Sequence, residues 1–221
     1  GWATSPRSGI SKSYSFTFQF KVDSTAPTMN NVSTSSTGKY TNSSTYVSAS
    51  DSMSGVECIY MKTPGSSSYG NMGTSTTVSS SGMNGLYSFY AKDKAGNTSR
   101  TYFLYLDTVK PTGKIKNSNG TEITGSYTNQ TFSYSATDSG SGISYLQYRK
   151  PGSSSWLTYT SGTSISASAT SGTYQFRAVD NAWNISATKS ITLDSSKPTM
   201  TLYSGDVSVS NGYKSIANYI K

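Results

Sequence analysis

The chain has 221 residues, a net charge of +8 and a pI near 9.4, and it contains no histidine and a single cysteine, Cys58. Without histidine the commonest general base, the Ser-His-Asp and Cys-His arrangements and most zinc sites are absent. One cysteine excludes an intrachain disulfide framework, and no run of about 18 apolar residues offers a membrane span. The 18 Lys and Arg are scattered singly, without a basic block or a nucleic-acid-binding motif, so nucleic acid is not an expected partner.

Only 33% of the residues are hydrophobic, and Ser and Thr make up about a third of the chain, a composition that leans toward disorder. The aromatic residues argue otherwise. They form 13% of the chain, 18 Tyr among them, and they fall in period-two rows.

In chain order, residues 1–22 end in an alternating run, SYSFTFQFKVD at 13–23, that matches the register of NTSRTYFLYLD at 97–107 and reads as the terminal strand of a preceding repeat. Residues 23–108 and 109–195 follow as two copies of one unit. Asp51 and Asp138, Pro64 and Pro151, Tyr87 and Tyr174, and Asp107 and Asp194 each stand 87 residues apart, whereas Pro27 and Pro111 stand 84 apart. Residues 196–221 match the opening of a further repeat. A fixed period of this size describes an array of small domains, each long enough to close a core of its own.

Within the first unit the alternation predicts strands near 29–33, 45–50, 55–62, 68–72, 75–79, 85–93 and 99–106. In the second it predicts strands near 113–117, 131–137, 142–149, 156–160, 164–168, 172–180 and 186–193. Tyr87, Phe89 and Ala91 occupy one row, as do Tyr174, Phe176 and Ala178, with the intervening residues facing solvent. No segment carries a helical stripe. The expected fold class is all-β, as tandem immunoglobulin-like antiparallel β-sandwiches.

The run D-S-x-S-G-[VI] (51–56 and 138–143), the P-G-S-S-S-aromatic turn, Y-x-F-x-A-x-D-x-A-x-N (87–97 and 174–184) and the closing L-D-x-x-x-P-T resemble the bacterial immunoglobulin-like tandem repeats of extracellular surface proteins. The resemblance implies non-catalytic structural stalk or adhesion modules of a bacterial cell-surface or secreted protein. A glycan- or host-protein-binding module and a phage or appendage fibre are the alternatives. Trp183 departs from the first copy, standing where that copy has Gly96.

Seven of the eight Asp recur in three places: the linker (Asp23, Asp107, Asp194), the first turn (Asp51, Asp138) and the final hairpin (Asp93, Asp180). Two readings stand. Asp favours turns because its side chain accepts hydrogen bonds from nearby backbone. Alternatively, in an immunoglobulin-like topology these places share one pole, so that Asp23, Asp51 and Asp93, and likewise Asp107, Asp138 and Asp180, would supply hard oxygens to Ca²⁺. Calcium is the one cofactor the pattern admits. Tyr69, Trp156 and Trp183 stand in or beside turns, where they either cover the edge of their own core or stack on sugars. The expected partners are neighbouring repeats, with a cell-wall polymer, a glycan or a host protein as candidates, and the expected localisation is extracellular. No catalytic residues are expected.

Overall fold

A computed structural model describes residues 14–199 and the backbone of a short hairpin beyond them, β17 (Tyr203–Ser204) paired antiparallel with β18 (Val207–Ser208). The remainder of the further repeat expected at 196–221, and residues 1–13, lie outside the described residues. The chain divides into two compact units, one ending at Leu106 and the other beginning at Asp107.

Unit 1 contains β1 (Thr28–Asn30), β2 (Lys39–Thr41), β3 (Thr45–Ser50), β4 (Val56–Lys62), β5 (Gly70–Asn71), β6 (Ser75–Val78), β7 (Gly85–Asp93) and β8 (Tyr102–Leu106). They form a three-stranded sheet, β1-β3-β6, and a five-stranded sheet, β2-β8-β7-β4-β5. The buried cluster draws Met29, Val47 and Val78 from the first sheet and Ile59, Phe89, Leu104 and Leu106 from the second, so the two sheets face each other across one core. This is the expected β-sandwich.

Unit 2 repeats the plan with β9 (Thr112–Asn117), β10 (Tyr127–Thr128), β11 (Phe132–Thr137), β12 (Ile143–Arg149), β13 (Leu157–Tyr159), β14 (Ser164–Ile165), β15 (Gly172–Asp180) and β16 (Lys189–Leu193). Its sheets are β9-β11-β14 and β10-β16-β15-β12-β13. The core here is more aromatic. Phe132, Tyr134, Tyr159, Tyr174 and Phe176 are all buried in it. Phe176 has ring contacts with Phe132, Tyr134, Tyr148 and Tyr159 at centroid separations of 5.1–6.2 Å. Such offset and edge-on pairs add to the area that each ring buries.

Each sandwich has eight strands among the described residues, β1–β8 and β9–β16, one more than the alternation predicts. The additional strands, β2 and β10, run parallel to the last strand of their own sheet, Lys39–Thr41 along Leu104–Leu106 and Tyr127–Thr128 along Thr192–Leu193. Two or three residues are too few to show a period. Other strands are shorter than expected: 68–72 contracts to β5 and 164–168 to β14.

Residues 14–22, expected as a strand, belong to none, and Tyr14, Phe16, Phe18 and Phe20 are all at least 74% exposed. Alternation selects a strand only where another strand completes its ladder. Cys58, on the outward row of β4, is nonetheless buried.

Candidate functional site: the acidic poles and the outer sheet faces

Three segments meet at one end of each sandwich: the entering chain, the loop joining β3 to β4 (β11 to β12 in unit 2), and the hairpin turn after β7 (β15). In D-S-x-S-G the Asp side chain organises the loop. Asp51 Oδ1 accepts the backbone N–H groups of Met53, Ser54 and Gly55 at 2.9–3.1 Å. Asp138 Oδ1 accepts those of Gly140 and Gly142 at 3.0 and 2.9 Å. The closing glycine is required because the chain turns there through positive φ, +76° at Gly55 and +79° at Gly142.

The run D-x-A-x-N builds the hairpin turn. Asp93 Oδ1 accepts the Asn97 N–H and Asp93 Oδ2 the Asn97 side-chain amide, both at 2.8 Å. Asp180 and Asn184 repeat both bonds at 2.8 Å. The same amide reaches across to the entering chain, donating to the Asp23 carbonyl at 3.0 Å in unit 1 and to the Asp107 carbonyl at 2.8 Å in unit 2. The entering Asp closes the ring by accepting from the first loop: Ser54 N–H to Asp23 Oδ2 at 3.0 Å, and Ser141 N–H to Asp107 Oδ2 at 2.6 Å.

The two poles differ in depth. Asp107 and Asp180 are fully buried, whereas Asp23 is only partly so. Gly140 permits the closer fit, since a Cβ there would stand 2.4 Å from Asp107 Oδ2. Unit 1 has Met53 at the equivalent position, largely exposed.

Hydrogen bonding also sets the charge state. The Ser54 hydroxyl beside Asp23 and the Thr25 N–H hold its carboxyl below the usual range. That hydroxyl is buried yet outside hydrogen-bond geometry, so it acts as a nearby polar group and the formed bonds are those of the backbone. Burial pushes the Asp93 carboxyl up, but the Asn97 amide and N–H outweigh it and leave it lowered.

The structure brings each expected trio together: Asp23, Asp51 and Asp93 in one unit, and Asp107, Asp138 and Asp180 in the other, offer carboxylate oxygens within 4.8 Å of one another. The donor set is all oxygen, as a hard cation requires. The two ion pairs among the described residues, Lys92–Glu57 and Lys114–Glu122, lie elsewhere. Most of the carboxylate oxygens already accept N–H groups, so turn chemistry accounts for much of the arrangement. Asp51 Oδ2 and Asp138 Oδ2 accept none of these bonds, and Asp138 Oδ2 is in addition buried without a partner.

Each of the three candidate aromatics has its own surroundings. Tyr69 stands edge-on to Tyr90 at 4.9 Å with the Lys62 ammonium 5.3 Å from its centre. Trp156 carries the guanidiniums of Arg149 and Arg177 at 4.3 and 4.2 Å. Trp183 is 67% exposed, edge-on to Tyr145 at 6.3 Å, and adopts φ +72° where unit 1 has Gly96 at +100°. A bulky residue at positive φ is a backbone outlier. The two arginines, which the aromatic pattern gave no reason to single out, were missed in the sequence; their signal was the outward row of β12 and β15.

Comparison with known proteins adds little. No family model matches the chain, and no curated protein matches it. Among solved structures, it is similar to the fibronectin(III)-like modules of Clostridium thermocellum CbhA at 16% identity and a TM-score of 0.38, over 75% of this chain and 92% of that one. So distant a likeness transfers neither a ligand nor an activity.

Proposed function

We propose that the chain is a non-catalytic spacer: a pair of immunoglobulin-like modules from the stalk of a bacterial cell-surface or secreted protein. The observation that carries this reading is the pole, where one hydrogen-bonded ring ties the entering chain to two loops and is built twice from equivalent residues. A ring of this kind ties the entering segment of each module to two of that module's own loops. The two-sheet core built twice and the sequence resemblance to extracellular repeats support the same reading.

The carboxylate trios extend it. Ca²⁺ held by Asp23, Asp51 and Asp93, and by Asp107, Asp138 and Asp180, would offset two of the three clustered negative charges at each pole and stiffen the ring. The unpartnered, buried Asp138 Oδ2 favours this at the second pole.

Pulling single molecules of the whole chain tests the spacer role. The expected record has two unfolding events, each releasing about 30 nm for a unit of this size, and Asn184→Ala lowers the force of one of them. A single event, or a force profile indifferent to Asn184→Ala, would sink the reading.

A further inference from the structure

Equivalent residues on the outer face of the five-stranded sheet have diverged between the two units, and the divergence is chemical. In unit 1 the outward row of β4 and β7 carries Tyr60 stacked on Tyr90 at 4.7 Å, with Tyr69 edge-on to the latter. In unit 2 the same positions hold Gln147, Arg177 and Trp156, and Lys62 is replaced by Arg149. An aromatic cluster has become a cationic one.

We propose that this face of unit 2 binds an acidic polysaccharide, with Arg149 and Arg177 receiving its anionic group and Trp156 holding the two guanidiniums in place. Arg149 lies opposite Gln175 in the ladder and Arg177 opposite Gln147, which sets the arginines diagonally on neighbouring strands. Both lie against the Trp156 ring. Stacking on an indole engages the flat of a guanidinium and leaves the N–H donors at its edge for an oxyanion, in the fork geometry that suits a carboxylate. Gln147 accepts from Arg177 Nε at 2.8 Å and steadies that head. Arg149 Nε is buried and without a hydrogen-bond partner, a donor already removed from water.

Charge complementarity decides the class of ligand. Neither arginine takes part in an ion pair found among the described residues, and the chain as a whole carries +8. Gln175, Thr158 and Ser190 extend the same face with amide and hydroxyl groups, which suit the hydroxyls of a sugar. Two guanidiniums neutralise one or two anionic groups, not the close run of phosphates along a nucleic acid. This site is independent of the spacer role and of the acidic poles.

Calorimetric titration of the whole chain with oligogalacturonate, a sulfated oligosaccharide, a neutral oligosaccharide of equal length and a single-stranded oligonucleotide provides the test. Oligogalacturonate is expected to bind and to weaken with added salt. Arg149→Gln and Arg177→Gln should each weaken it at least about tenfold, and Arg177→Lys, which keeps the charge but not the fork, should weaken it less. Lys62→Gln and Tyr69→Ala, at the equivalent face of unit 1, should leave it unchanged. Binding of the sulfated probe with the same dependence on the arginines supports the site and makes its anion a sulfate ester. Equal binding of the neutral probe, tighter binding of the oligonucleotide, undiminished binding by a correctly folded double Arg→Gln variant, or no binding of either anionic saccharide would each overturn it. Near-ultraviolet circular dichroism establishes folding of each variant.

Discussion

Asn184 and Asp107, 77 residues apart in the chain, are joined by a buried hydrogen bond of 2.8 Å from the side-chain amide to the backbone carbonyl. The same amide holds Asp180 Oδ2, so one side chain ties the final hairpin turn to the entering chain. Asn97 does the same for Asp23 and Asp93 in a less buried setting. The ring depends on a residue that contributes nothing to the apolar core.

Asn184→Ala strands two buried acceptors and is expected to cost about 1–3 kcal/mol. Asn97→Ala should cost less, because water can replace the amide at a partly exposed pole. Urea unfolding checks both, with tryptophan fluorescence in a Trp2→Phe background reporting unit 2 through Trp156 and Trp183, and circular dichroism the whole chain.

Calcium is expected to raise the melting temperature by binding the native state alone. Asp138→Ala should abolish the rise in unit 2 while leaving the rise in unit 1. Differential scanning calorimetry with and without a chelator measures both. A melting profile unchanged by chelation would leave the Asp residues as turn formers only.

What could be read from the sequence follows from what each residue does. Tyr174, Phe176 and Ala178 alternate and are buried as the period requires. The recurrence of Asp at three places pointed to a shared pole, where the carboxylates do converge. β2 and β10 were not legible, since a parallel pairing of two or three residues leaves no period. Nor was the role of Asn97 and Asn184, whose bonds to Asp23 and Asp107 span 74 and 77 residues. Trp156 was legible as an aromatic beside a turn, but the arginines against it depend on the ladder register of β12 with β15.

Acid should loosen unit 1. The carboxyls of Asp23 and Asp93 titrate below their ordinary value in the folded chain. The stability they confer is therefore complete above the unfolded carboxyl pKa of about 4 and is lost as pH falls through the lowered folded values. Asp194, held down by the Ser196 hydroxyl and N–H, adds to the same trend in unit 2. Thermal melts from pH 7 to pH 2 should show a decline beginning near pH 4 that is shallower in Asp23→Asn. A melting temperature that rises on acidification would contradict the assignment.

The strongest test of the duplicated core is an exchange between its copies. In unit 2, Gly113 lies against Tyr134, and a Cβ at Gly113 would meet the phenol oxygen at 2.1 Å. Unit 1 fills the equivalent positions with Met29 and Val47, both buried. One copy thus pairs the smallest residue with a large ring, and the other pairs two of middling size. Gly113→Met alone should overpack the core and destabilise unit 2 strongly. Tyr134→Val alone should leave a cavity and cost about 2–5 kcal/mol. The double substitution recreates the arrangement of unit 1 and should recover a large part of both losses, giving an interaction energy of about 1–3 kcal/mol in a double-mutant cycle. Additive losses would mean that the two positions do not share one space, and that the match between the copies at this point is accidental.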